Sequence, residues 1–224
     1  MRVGSAALLA IAVPAAAGIG VRYWVSGHLN AAFCLLSLFF SANLLICCWE
    51  TSLFRHLDLV RQRAEHWRRR REETGQSPAV EFLTSRIPFT RVVSPSVAAD
   101  AWAAYSVYDG SYTDPRTYGF NIDIANGFFT AAPTLVLYAA FTVPFLPAPV
   151  AGILGIMLFW QWAYTSSVYL VSFYAAGRHK LISGADAAIY VWGANSVWTL
   201  SGLLGLYVSI RLIVDGDYTV LGYR

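Results

Sequence analysis

The chain is expected to be all-α: an integral membrane bundle of five transmembrane helices in one domain over residues 1–224. Three observations point there. First, 57% of its residues are hydrophobic and only 13% are charged, where soluble domains carry about 25% charge; the mean hydropathy is +0.49. Second, the apolar residues are gathered into blocks. Third, five of those blocks, at about 5–24, 30–49, 121–145, 150–174 and 187–213, each hold the roughly 20 residues that a bilayer crossing needs.

The first block, within MRVGSAALLAIAVPAAAG, has one basic residue, an apolar stretch and an A-x-A ending at Ala17. That pattern fits a secretory signal as well as a span. A second apolar block follows within about ten residues, which favours the span. The second block carries Cys34, Cys47 and Cys48. An odd number of cysteines on one helix gives no disulfide framework, so packing is their expected role.

Residues 51–120 form the expected extramembrane loop. Within it, RHLDLVRQRAEHWRRRREE (55–73) concentrates seven of the sixteen Lys and Arg residues of a chain whose net charge is only +3. A solvated helix on anionic lipid is the expected reading, with Glu65 spaced to pair with Arg68 and Arg69. Nucleic acid is not an expected partner of a multispanning protein. Residues 74–97 hold three prolines without a clear period and read as a connector. Helical spacing returns at Trp102, Tyr105, Tyr108, Asp109 and Tyr112, aromatics that suit the water–lipid interface. The sequence DPRTYG then ends that segment. His28, His56, His66 and His179 are scattered without ligand spacing, so neither a metal nor another cofactor is expected. Basic residues in 55–71 and in GRHK (177–180) place those loops, and the N-terminus, on the cytoplasmic side.

Polar residues inside spans are costly and usually face a cavity or the bundle interior. Asn43, Cys47 and Glu50 share one stripe of the second span; Asp123, Asn126 and Thr130 share one stripe of the third. The fourth carries Gln161, Thr165, Tyr169 and Ser172, and the fifth carries Asn195, Trp198, Thr199 and Gly202. Each has an ordinary alternative: Glu50 can reach water, Asp123 can complement a helix dipole, and Asn195 can bond a neighbouring helix. Together they are expected to line one cleft for a lipophilic ligand.

Trp102, Tyr105, Asp109 and Tyr112, spaced W-x2-Y-x3-D-x2-Y, resemble the loop motif of the emopamil-binding protein family. These are the sterol Δ8–Δ7 isomerases of the wider EXPERA group, which includes the sigma-2 receptor. The family's acidic residue in the third span falls at Asp123, its N-x2-W in the last span at Asn195 and Trp198, and its second-span glutamate at Glu50. Gln161, Val168, Tyr169 and Leu170 are a weaker likeness. The chain departs from the family at Ile46, where the family has His, at Asp123 in place of Glu, and at Asn126 in place of Thr. The basic segment 55–97 reads as an insertion.

The resemblance implies carbocation chemistry in a sterol-like or other polycyclic lipid. Asp123 and Glu50 would be the catalytic pair, dividing the acid and base roles. Asn126, Asn195, Trp198, Trp102, Tyr105, Asp109, Tyr112, Tyr169 and Thr165 would bind substrate, with Trp198 offering a π face to the cation. No metal or other cofactor is implied. A membrane terpene or meroterpenoid cyclase using the same carboxylates is an alternative, and a non-enzymatic sterol-binding protein of the sigma-2 type is another. The expected partners are a lipophilic small-molecule substrate and membrane lipid, with a homodimer as a further option. The expected location is the endoplasmic reticulum in a eukaryote, or the inner or plasma membrane in a bacterium.

Overall fold

The computed structural model describes residues 1–91 and 94–223. Val92 and Val93, in the expected connector, and the terminal Arg224 lie outside the described residues. Among the described residues there are helices and no strand; one isolated antiparallel bridge joins Arg2 and Arg86. The helices are α1 (Val3–Ser26), α2 (Ala31–Arg55), α3 (Leu57–Thr74), α4 (Pro78–Thr84), α5 (Pro95–Tyr105), α6 (Tyr118–Phe129), α7 (Ala131–Thr142), α8 (Ala148–Ala175) and α9 (Gly184–Asp215). Within α9, Ala187–Gly193 is π-helical.

Among the described residues, α1, α2 and α9 are long and apolar enough to cross a membrane. Helices α6 and α7 make a fourth such span if taken together across their break at Thr130. Pro133 accounts for that break, because its ring excludes the carbonyl four residues earlier, that of Phe129, where α6 stops. The expected fourth window corresponds to α8, which is 28 residues long and free of Asp, Glu, Lys and Arg. Its central Trp160, Gln161, Trp162, Tyr164 and Thr165 lower its hydropathy, and it is not among the three.

Two sequence expectations change. Helix α2 runs past residue 49 to Arg55, so Glu50 sits inside a helix and not at its end. The 51–120 loop is largely helical, and its connector contains α4. Ser77 caps α4 by accepting from Val80 N–H, and Pro78 occupies the first turn, where its missing N–H costs nothing.

Contacts divide the chain into two compact units. The first comprises Met1–Leu9, Leu45–Phe128 and Val168–Ala194. Its core includes Leu53, Val60, Ala64, Ala99, Trp102, Ala103 and Phe173. Small and β-branched residues on α3 and α5 let the two helices lie close, and Arg63 on α3 pairs with Asp100 on α5 and donates to Ser96 C=O at 2.9 Å. Helix α3 ends at Gly75, whose φ of +69° is open to glycine at little cost. The first residues are also tied in, since Val3 N–H donates to Ser85 C=O at 3.0 Å and Ile87 N–H to Met1 C=O at 2.9 Å.

The basic segment is largely exposed, and several of its charges are paired. Arg61 donates to Thr113 C=O at 3.0 Å. Arg70 pairs with Glu81 and Arg71 with Asp186, each at 2.6 Å. The expected pairs of Glu65 with Arg68 and Arg69 are present at 3.2 and 3.6 Å.

The second unit comprises Ala10–Leu44, Phe129–Ser167 and Asn195–Arg224. Phe39, Phe40, Phe141, Phe159 and Trp162 form its aromatic core. Here α8 and α9 meet through small residues, the usual device where lipid offers no hydrophobic drive between helices. A Cβ on Gly205 would lie 2.1 Å from the Phe159 ring. Arg22 of α1 is fully buried and donates to Phe141 C=O at 3.1 Å and to Leu221 C=O, with its guanidinium over the Tyr223 ring.

Candidate active site

The two acids singled out from the sequence meet in the first unit. Glu50 on α2 is buried, and its Oε2 accepts from Asn126 Nδ2 on α6 at 2.7 Å. Cys47, one turn earlier on α2, lies beside Asn126 at 3.7 Å. Gly127 allows this approach, because a Cβ there would stand 2.8 Å from Glu50 Cβ and 3.0 Å from Thr51 N. Asp123, one turn before Asn126, is half-buried and close enough to Glu50 for their charges to interact. The Tyr112 phenol lies near its carboxyl.

Tyr112 lies in a 3₁₀ turn, Gly110–Thr113, that follows α5. Its ring stacks on Trp102 with centroids 4.9 Å apart, meets Tyr105 edge-on at 5.1 Å and lies 6.3 Å from Tyr169. The i, i+3 spacing of Trp102 and Tyr105 puts both rings on the face of α5 that receives the returning turn. Burial pushes the Tyr112 phenol well above the usual tyrosine range, so it keeps its proton to donate. Trp102 and Tyr112 are buried, so these aromatics form part of the unit's interior. Trp102 Nε1–H is spent on Trp49 C=O at 2.9 Å.

Asp109 anchors the turn. Its side chain is fully buried and accepts from Ser111 N–H at 3.0 Å, from Tyr169 O–H at 2.5 Å and from Arg178 at 3.0 and 3.1 Å. Arg178 also donates to Ser172 Oγ at 2.9 Å. Gly119 at the start of α6 completes the packing, since a Cβ there would stand 2.9 Å from Ser111 Oγ and 3.0 Å from the Tyr169 ring. Every donor and acceptor described here belongs to the first unit.

Glu50, Asp123, Asn126, Trp102, Tyr105, Asp109, Tyr112 and Tyr169 are thus gathered in the first unit. Asn195, Trp198 and Thr165 belong to the second. There Trp198 Nε1–H donates to Asn43 Oδ1 at 3.3 Å, Asn43 Nδ2 donates to Thr134 Oγ1 at 3.3 Å, and Thr165 Oγ1 donates to Gln161 C=O at 2.7 Å. Asn195 is half-buried, and its carbonyl accepts from Thr199.

Sequence reasoning missed two groups. Arg178 was read only as a charge that sets orientation, and nothing in GRHK distinguishes it from Lys180. The hydroxyl chain of Ser77, Tyr108 and Tyr190 was also missed: Ser77 Oγ lies 2.6 Å from both phenols, whose rings stack at 3.8 Å. Burial raises the Tyr108 pKa to about 12. Tyr190 sits in the π-helical turn, an irregularity that often marks functional segments, and its carbonyl accepts from Tyr105 O–H at 3.1 Å. Among the described residues, no three His, Cys, Asp or Glu side chains group closely enough to hold a metal ion. No protein-family model, curated protein or solved structure matches the chain.

Proposed function

We propose that the chain is a five-span membrane isomerase of the emopamil-binding type, in which Asp123 and Glu50 move a double bond in a sterol-like or other polycyclic lipid. The observation that carries the reading is the placing of two carboxylates, on α2 and α6, within electrostatic reach of each other, with Glu50 fixed by Asn126. The reaction needs one carboxyl to add a proton to an alkene carbon and one carboxylate to remove a different proton from a carbon beside the resulting cation. Two acids that interact through space share protons readily, because the charge of each depends on the other. The fifth span in this reading is α8.

In the same reading Trp102, Tyr105, Asp109 and Tyr112 are positioning residues. Trp102 and Tyr105 donate to the carbonyls of Trp49 and Tyr190, Asp109 is held by Tyr169, Arg178 and Ser111 N–H, and the Tyr112 ring stacks on Trp102. Preorganisation of this kind fixes where a proton is given before substrate arrives.

The test uses membranes containing the full chain, a Δ8 sterol, deuterated water, and product analysis by mass spectrometry. A shifted double bond with one solvent deuterium incorporated, lost in Asp123→Asn and Glu50→Gln, is the expected result. Either variant retains an oxygen acceptor, so Glu50→Gln still accepts from Asn126 and keeps its fold. Cyclisation of a polyprenyl epoxide by the same membranes would replace this reading with a cyclase. Sterol retained unchanged by wild type and both variants would replace it with a binding protein.

A further inference from the structure

A groove of about 490 Å³ opens on the first unit, with Arg68, Arg71 and Glu72 of α3 on one side and Lys180, Leu181 and Ser183 on the other. It is separate from the acid pair, and the proposal here does not rest on the reading above. The two walls come together because Arg71 pairs with Asp186 in the first turn of α9 at 2.6 Å. Ser183 caps the same helix, accepting from Asp186 N–H at 3.1 Å.

The cations here keep donors in reserve. Lys180 is exposed and makes no ion pair among the described residues. Arg68 spends one N–H on the exposed Glu65, and Arg71 spends one on Asp186. A guanidinium has five N–H donors, so most of theirs remain. Glu72 is the one carboxylate on the lining, against three cations.

Two further features fix the ligand class. Leu181, beside Lys180 in the same lining, is 82% exposed, an apolar side chain next to a cationic pocket. Ser183 immediately precedes α9, which is one of the candidate membrane spans. A groove at the end of a span lies at the depth of lipid headgroups, and the helix N-terminus adds its positive dipole end to the cations. Trp192 and Tyr174, exposed and joined by a 2.8 Å hydrogen bond, are the kind of aromatic anchors found at that depth.

We infer that this groove binds the phosphate of an anionic phospholipid, with Lys180 and Arg68 contacting the phosphate and Leu181 seated among the acyl chains. Full-length protein in detergent would be offered phosphatidylglycerol or phosphatidylcholine and examined by native mass spectrometry, with and without excess inorganic phosphate. Phosphatidylglycerol should be retained preferentially, and Lys180→Gln and Arg68→Gln should each weaken it about fivefold, the effect of about one surface charge. Arg69→Gln, in the same basic run but outside the groove, should not, and inorganic phosphate should not displace the lipid. Equal losses in all three variants, or none in Lys180→Gln and Arg68→Gln together, overturn the proposal. Displacement by inorganic phosphate, with no preference between the two lipids, overturns its lipid part and makes free phosphate the ligand. Neither variant touches a buried contact, so unchanged thermal unfolding confirms that each reports binding.

Discussion

Replacing Arg178 by methionine tests the anchor of the aromatic turn. The change keeps an unbranched side chain against Phe173 and removes the guanidinium from Asp109, whose side chain has no solvent exposure. Asp109 would keep its bonds from Tyr169 and Ser111 N–H but lose two from Arg178 and the charge that balances its own. Removing one partner of a buried pair typically costs about 3–5 kcal/mol, because the other charge is stranded. For a chain of this size each kcal/mol moves the unfolding midpoint by roughly 2–4 °C, so thermal unfolding in detergent should fall by about 6–20 °C. Asp109→Asn in the same background should recover much of the loss, giving a coupling in the range of roughly 0.5–3 kcal/mol seen for directly contacting residues. A loss below about 1 kcal/mol for Arg178→Met, or strict additivity in the double-mutant cycle, would refute the reasoning and mark the pair as solvent-screened.

Three further outcomes follow from other parts of the molecule. Ser77→Ala removes the cap of α4 and the hydroxyl that bonds both Tyr108 and Tyr190, and should cost about 2 kcal/mol in chemical denaturation; a neutral result would show that the two phenols bond each other instead. Gly205→Val in the second unit forces a side chain into the Phe159 ring and should cost at least about 1–3 kcal/mol, whereas Gly20→Val, where a Cβ meets nothing within 4 Å, should cost at most about 1 kcal/mol as an intrinsic effect. Tyr108 and Tyr112 bind their protons more tightly folded than unfolded. Their contribution is therefore complete below the ordinary tyrosine pKa of about 10 and is lost as pH rises, for Tyr108 through about 12. Absorbance at phenolate wavelengths should show both ionising above the ordinary tyrosine pKa of about 10; titration at that ordinary value would contradict the burial described for this turn.

The long apolar helices were legible where apolar blocks have sharp polar edges. Expected windows 5–24 and 150–174 became α1 and α8 with shifts of one or two residues at each end. The window at 30–49 fell short because Glu50 looked like a terminus, while a polar residue turned toward Asn126 leaves the helix free to continue. The break at Thr130 was present in the sequence as Pro133, but a proline three residues into a helix marks where the previous one stops, and hydropathy averages over it. The stripes that carry Glu50 and Asn126 were legible from spacing at three and four residues, while the bond between the two was not. Arg178 did not follow from anything local. Its partner is 69 residues away, and a basic residue after a span serves topology and ion pairing with the same letter.

The fully bonded carboxylate of Asp109 bears on how far a shared motif carries. A W-x2-Y-x3-D-x2-Y spacing whose polar groups are spent on neighbouring carbonyls, a tyrosine and an arginine is a matter of architecture: it builds this turn, whatever the chain does with lipid. Chemistry then falls to positions outside the turn, here Ile46, Glu50, Asp123 and Asn126. Two chains could share every aromatic of the turn and diverge in reaction, product or even turnover through these four letters.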